Sequence, residues 1–310
     1  NSTGKDDAYW YGKESDIAAA TPAALEKIRD SYFLPNNAAL IVGGDVDPDT
    51  VFAAAKSIFA EWKAGPDPWK SPLPPQPKPG VTRPTWVVYP DASMPEGVAL
   101  VEARYRGPDL ETDPEASYAA DLWTSLVADP SGRFRSGIAK SVSKLYGDNP
   151  IAVYYLPQRG SGLLSISAYL CLGKGSSAVE KAQSFKERAR GFEITSMRSD
   201  PSYFSTREYE EAKRQLINAR KLQLETTDGL VDSLARAWAS ASADYFLGYE
   251  DAIENTGARD VISFLDSYVL HNLEVVSLRL SLQDYEDERK SFANSGFDVI
   301  TSSNAFWWQK

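Results

Sequence analysis

Residues 32–50 read YFLPNNAALIVGGDVDPDT, and the fold turns on them. Pro35 stops a preceding helix, because a proline inside a helix lacks the donor N–H and clashes with the turn before it. Ala38 to Val42 is a short apolar run of strand length. Gly43-Gly44 turns the chain, and Asp47-Pro48 has the cap and first-position chemistry of a new helix. Asp45-x-Asp47-x-Asp49 imitates the first ligands of a calcium loop. Such a loop needs Gly at its sixth position and Glu at its twelfth, and here those are Thr50 and Lys56. A phosphate loop needs a Lys-Ser/Thr pair at the helix start, which is missing. The stretch is therefore read as helix end, strand, turn and helix start, with no bound ion.

Upstream, Thr21 caps a helix over 21–32, with Pro22 in the first position and Leu25, Ile28 and Tyr32 on one face. Downstream, Val51, Phe52, Ala55 and Phe59 line the next helix. Residues 1–64 thus offer two helices and one strand, too little sheet to bury both helices. They read as the C-terminal part of an α/β roll whose other strands lie elsewhere. Residues 65–84, GPDPWKSPLPPQPKPGVTRP, hold eight of the nineteen prolines and read as a stiff, extended linker.

Residues 85–310 read as a second, complete roll. Strands are expected at 85–90, 98–107, 151–157, 162–172 and 274–281. Helices are expected at 114–127, 133–144, 177–193, 206–225, 228–241 and 258–269. Ser177-x-x-Glu180 and Ser205-x-x-Glu208 are capping-box patterns. Strands joined as hairpins, with the helices grouped, predict an α+β domain: an antiparallel or mixed sheet backed by helices. Phe306, Trp307 and Trp308 are expected to bury at least in part.

A net charge of −10 argues against nucleic acid as a partner. No apolar run is long enough to span a bilayer, and residues 1–13 lack a signal peptide's basic and apolar regions. The single cysteine, Cys171, excludes an internal disulfide and reads as a small core residue. The single histidine, His271, matters more, because catalytic zinc sites use two or three imidazoles with a carboxylate. Histidine-dependent chemistry is not expected of this chain alone. The cationic run Lys213, Arg214, Arg220 and Lys221 reads as a solvated helix face. Carboxylate pairs are plentiful, but no spacing points to a two-carboxylate hydrolase.

Tyr32, Pro35, Asn37, Gly44, Asp45 and Asp47 match a corner that resembles a signature of pitrilysin/insulinase-type zinc peptidases, a group that includes the mitochondrial processing peptidase. YGKESDIAAATPAALEKI resembles the family's run into that corner. LVADPSGRFRSGIAKSV (126–142) is similar to its helix, Gly/Ser loop and helix. RGSGLLSISAYL (159–170) resembles the strand that follows, and STREYEEAKRQLINARKLQLE (205–225) its "T-x-x-E-x-x-x-A-K" helix. In order and spacing these cover most of the chain.

The resemblance implies repeated α/β rolls, two halves enclosing a chamber in which peptides are cut. The family's inverted zinc motif, His-x-x-Glu-His, is absent here, so zinc is expected on a catalytic half or a separate subunit and no cofactor in this chain. The second half of active members supplies an arginine and a tyrosine that hold substrate. Aligned on Gly132-Arg133-Phe134, the tyrosine position falls on Tyr146. The arginine position falls on Ala139, beside Lys140. Tyr146 and Arg133 are the candidate substrate-binding residues, with Arg133 also a candidate anchor for its helix start. The implied partners are an extended peptide or unfolded polypeptide and a zinc-bearing half, or further copies of the chain. Bacterial members imply a periplasmic location, with the cytoplasm as the alternative. The competing role is a structural or assembly subunit that meets no substrate, the course taken by related core subunits of the mitochondrial respiratory complex.

Overall fold

The computed structural model describes residues 17–68, 70, 81–142, 144–160, 162–173, 175–301 and 304. Most of the proline-rich core of the linker and the aromatics Phe306, Trp307 and Trp308 lie outside the described residues. The described residues fall into two compact units. One lies within Asn1–Gly80 and Thr226–Asp232, the other within Val81–Glu225 and Ser233–Lys310.

In the first unit, α1 (Pro22–Tyr32) starts where Thr21 Oγ1 accepts the Ala24 N–H at 3.2 Å. A single 3-10 turn, Pro35–Asn37, follows, and Asn37 Nδ2 donates back to the Tyr32 carbonyl at 2.8 Å. Helix α2 (Pro48–Ile58) is capped by Asp47, whose carboxylate accepts from Thr50 N and Oγ1 at 2.9 and 2.6 Å. Those two bonds hold the Asp47 carboxyl below its usual range. Asp47 therefore acts as a helix cap. Gly43 is required by a close approach: a Cβ there would lie 2.6 Å from Val231 Cγ2.

Ala38 to Val42 does not form the expected strand. It is not paired with any strand among the described residues. Strand identity needs a neighbour to complete the ladder, and local propensity cannot supply one. Neither α1 nor α2 buries a residue; Leu25, Leu40 and Phe52 are among the large apolar side chains left exposed.

The second unit has one mixed six-stranded sheet. Its strands are β1 (Thr85–Pro90), β2 (Val98–Gly107), β3 (Ile151–Leu156), β4 (Gly162–Cys171), β5 (Glu274–Leu280) and β6 (Phe297–Val299). They lie in the order β3-β4-β2-β5-β1-β6. Neighbours from β3 to β5 run antiparallel, and β1 runs parallel to both β5 and β6. The α+β class and mixed sheet expected from the sequence are those observed.

Helices α3 (Pro114–Leu126) and α4 (Arg133–Ser141) follow β2. After β4, α5 (Ala178–Lys186) widens into a π-helical stretch, Glu187–Ile194, and ends as α6 (Thr195–Ser199). Then come α7 (Thr206–Leu224), α8 (Thr227–Ser240), α9 (Ala243–Asn255) and α10 (Ala258–Leu265), which runs into a π-helical turn, Asp266–Leu270. Helix α11 (Leu282–Asn294) separates β5 from β6. Ser205 and Glu208 form the full capping box. Ser177 caps α5, but Glu288 of α11 completes that cap by accepting from Ser177 Oγ and Ala178 N.

Strand alternation assigns the faces. Val101, Tyr105, Ile166, Leu170, Val276 and Leu278 are fully or nearly fully buried and form one core with Trp123, Phe134 and Phe264. The opposite face carries Arg104, Tyr154, Tyr169 and Arg279. Cys171 belongs to this second face and is only half-buried, so it is not the core residue expected. The alternation that places Leu170 in the core places its neighbour on the other side.

Candidate functional site

The loop into α4 is built by Asp129, which accepts from both the N–H and Oγ of Ser131 at 2.8 Å. Arg133, the first residue of α4, places its guanidinium 4.1 Å over the Tyr203 ring and 3.5 Å from Asp200. Hydrogen bonds from Ser202, with Arg133 nearby, hold the Asp200 carboxyl low. Tyr203 donates to the buried Glu193, which also pairs with Arg188 at 2.6 Å. The geometry makes Arg133 a brace between the start of α4 and the 200–203 turn.

Tyr146 has different surroundings. Helix α4 ends at Ser141, earlier than the sequence suggested, and Lys144 follows with φ of 57°. Leu145 then pairs with Leu170 in an isolated antiparallel bridge, and Tyr146 N–H donates to the Tyr169 carbonyl at 2.9 Å. Leu145 shares the core face with Leu170, so Tyr146 takes the open face, with Tyr169. Its side chain is 52% exposed and Tyr169 is 44% exposed. The described contacts do not join Tyr146 to Arg133. Ala139 and Lys140 are both exposed on the last turn of α4.

The open face also carries a closed polar set. Glu102 is buried; its carboxylate accepts from Ser165 Oγ and Tyr154 Oη and pairs with Arg104 at 2.7 Å. Burial, reinforced by the Glu102 charge, raises the Tyr154 hydroxyl's pKa.

At the sheet margin, Tyr169 N–H donates to the Pro150 carbonyl, and Ile151 pairs with Ala168. In an antiparallel ladder that arrangement turns the backbone groups of Ile151, Val153 and Tyr155 outward. Arg135, buried in α4, takes the Ile151 carbonyl at 2.8 Å and Asn149 Oδ1 at 2.9 Å. The outward N–H and C=O groups of Val153 and Tyr155 have no hydrogen-bond partner among the described residues. The sequence located this strand but could not mark it as an edge; its one signal was IAVYYL, six residues without a charge.

Zinc does not fit. Among the described residues, His, Cys, Asp and Glu form no group of three that could hold a metal. His271 is exposed, and its Nδ1 lies 3.0 Å from the Asp266 carbonyl. No described helix is long and apolar enough to cross a membrane.

Residues 19–216, more than half of the chain, match the family model described as the peptidase M16 inactive domain. Among solved structures, a protease from Helicobacter pylori has the same fold at 16% identity and a TM-score of 0.67. The match covers 86% of this chain and 61% of that one. The peptidase M16 inactive domain from Pseudomonas fluorescens matches at 14% identity and a TM-score of 0.63, over 86% of this chain and 59% of that one. The periplasmic protease PqqL from Escherichia coli matches at 15% identity and a TM-score of 0.56, over 77% of this chain and 24% of that one. This chain thus spans less than two thirds of the length of these relatives. No curated protein matches it.

Proposed function

The chain belongs to the peptidase M16 inactive-domain family, and on that premise we propose that it is the non-catalytic portion of a pitrilysin-like zinc peptidase. In this reading it forms part of the wall of a chamber in which a zinc-bearing half cuts extended peptides or unfolded polypeptide. The family match carries the proposal. A lone histidine, exposed and beside Asp266, supports placing the zinc elsewhere.

The exposed apolar faces of α1 and α2 support a further reading: the first unit is the end of another α/β roll, whose sheet covers them. Tyr146 contacts substrate through its exposed side chain. Arg133 anchors the start of α4 through Asp200 and Tyr203. The compartment is the periplasm, by analogy with the E. coli protease. Ala139, where active relatives carry an arginine, favours the second reading, an assembly subunit with no substrate.

The test is co-purification to identify the zinc-bearing half, then peptide turnover by the reconstituted pair. The chain alone should hold no stoichiometric zinc by metal analysis. With the partner, Tyr146→Phe should lower turnover several-fold. A tightly held zinc on the isolated chain, or a partner that cuts equally well without this chain, would refute the peptidase reading.

A further inference from the structure

Arg135 is buried in α4, and its guanidinium engages neutral acceptors in three separate segments. Nε donates to the Val127 carbonyl, at the end of α3, at 2.7 Å. Nη1 donates to the Ile151 carbonyl, at the start of β3, at 2.8 Å and to Asn149 Oδ1 at 2.9 Å. A buried charge is costly unless hydrogen bonds compensate it. A planar guanidinium presents donors from several fixed atoms, whereas a lysine ammonium is a single point. Arg135 therefore ties α3, the turn after Tyr146 and β3 together in a way that lysine cannot copy.

The main chain of Tyr169 pins both ends of that turn. Its carbonyl accepts from Tyr146 N–H, and its N–H donates to the Pro150 carbonyl, each at 2.9 Å. Between the pins, Gly147 has φ of 92°, and Asp148 and Asn149 are exposed. Among the described residues, the bond from Arg135 to Asn149 is the only hydrogen bond to residues 147–149. The rotamers open to a side chain depend on its backbone angles. Releasing Asn149 therefore frees the backbone just after Tyr146, and with it the direction of the exposed phenol. A substrate contact tolerates little misplacement.

We propose that Arg135 is a positioning residue for Tyr146: by holding Asn149 it fixes the turn that presents the phenol to a bound peptide. This rests on the reading of Tyr146 as a substrate contact. Arg135 itself touches no substrate and acts through Asn149.

Replacing Arg135 strands the buried Val127 and Ile151 carbonyls and endangers folding, so the test variants are at Asn149, which is exposed. Asn149→Ala removes only the turn-side acceptor and should melt at the wild-type temperature. Asn149→Asp keeps an acceptor oxygen for Arg135. The first readout is the fluorine NMR signal of 3-fluorotyrosine placed at position 146 of the full chain. Asn149→Ala should shift or split that resonance, and Asn149→Asp should leave it at the wild-type position. The second readout is cleavage of dye-quenched casein by the chain with its zinc-bearing half. Asn149→Ala should raise KM about fivefold with kcat unchanged, the signature of lost substrate binding. Asn149→Asp should restore the wild-type KM. In a Tyr146→Ala background, Asn149→Ala should add nothing, because the phenol it orients is gone.

An unmoved resonance in Asn149→Ala, equal losses in Asn149→Ala and Asn149→Asp, or the same rise in KM with and without the Tyr146 side chain would each overturn the proposal. If Tyr146→Ala raises KM while Asn149→Ala leaves it at the wild-type value, the positioning role fails and the peptidase reading stands. If the resonance moves as expected but no zinc-bearing half cuts casein with the wild-type chain, the peptidase reading fails and the control of Tyr146 by Arg135 stands.

Discussion

Asp121 gives the sharpest stability prediction. It lies on α3, and its carboxylate accepts from Tyr249 Oη of α9 at 2.9 Å. Around it, Tyr118 stacks on Tyr245 at 5.0 Å and meets the Tyr249 ring edge-on at 5.7 Å. Arg220 lies over Phe246 and Tyr249, at 4.4 and 4.9 Å, and no salt bridge joins it to Asp121 among the described residues. Burial without a paired cation raises the Asp121 pKa from 3.8 to about 6, against the opposing Tyr249 hydrogen bond. A group whose pKa rises on folding destabilises the fold once it ionises. Below about pH 4 both states are protonated and there is no penalty. The penalty grows between about pH 4 and 6 and is complete above that. A rise from 3.8 to about 6, at 1.36 kcal/mol for each tenfold change in acidity, sets an upper bound of about 3 kcal/mol. Asp121→Asn removes the charge and keeps an oxygen for Tyr249. The variant should be more stable by about 1–3 kcal/mol at pH 7.5 in urea denaturation, and equal to the parent near pH 4. Lower stability at pH 7.5, or a gain that persists undiminished at pH 4, would refute the reasoning.

Two further predictions concern packing and buried charge. At Gly137 in α4 a Cβ would lie 1.9 Å from Glu193 Oε1, and Arg188 and Tyr203 hold that carboxylate in place. Gly137→Ala should destabilise by about 1–3 kcal/mol despite alanine's better helix propensity. Gly248→Ala in α9, where a Cβ meets nothing within 4 Å, should stabilise by about 0.5–1 kcal/mol. Matching signs in thermal melts of the two variants would contradict this pair. Glu274, buried at the start of β5, accepts from Tyr105 Oη at 2.8 Å and pairs with Lys186 and Arg190 at 2.7 and 3.2 Å. Glu274→Gln strands two cations and should cost about 3 kcal/mol at neutral pH by chemical denaturation. An unchanged midpoint would show that the cluster is solvated.

Local chemistry carried much of the fold. The Thr21, Asp47 and Ser205 caps were readable because each acts on a donor within three residues. All five expected strands start where expected, and β3, β4 and β5 each end one residue early. Helix α9 went unread even though Ser242 is a good cap, accepting Tyr245 N–H at 3.0 Å, because Gly248 and the tyrosines dilute its apolar period. Strand β6 has three residues, too few to alternate. The candidate site was less accessible. Arg133 is committed to Asp200 and Tyr203, some seventy residues away in sequence, and the edge status of β3 depends on the order of all six strands. Glu193 and Glu274 read as surface charge until the pairing of distant elements buries them, and Asp121 until α9 packs against it.

Ala38 to Val42 shows where local reading ends. Its composition is that of a strand, and the turn and cap after it formed as expected. It is nonetheless unladdered among the described residues, and Leu40 and Val42 are exposed. Four of its five apolar residues are exposed and Ile41 is half-buried, and apolar surface left in water is unfavourable by about 25 cal/mol per Å². The same holds for Leu25, Ile28 and Phe52 on α1 and α2. These exposures line up in sequence with the family's helix, strand and helix. Under the proposed function all three elements serve one sheet, in which Ala38–Val42 is a paired strand and the two helices cover one face. The helix-capping chemistry needs no such sheet and so is complete already, whereas strand pairing and apolar burial both depend on it.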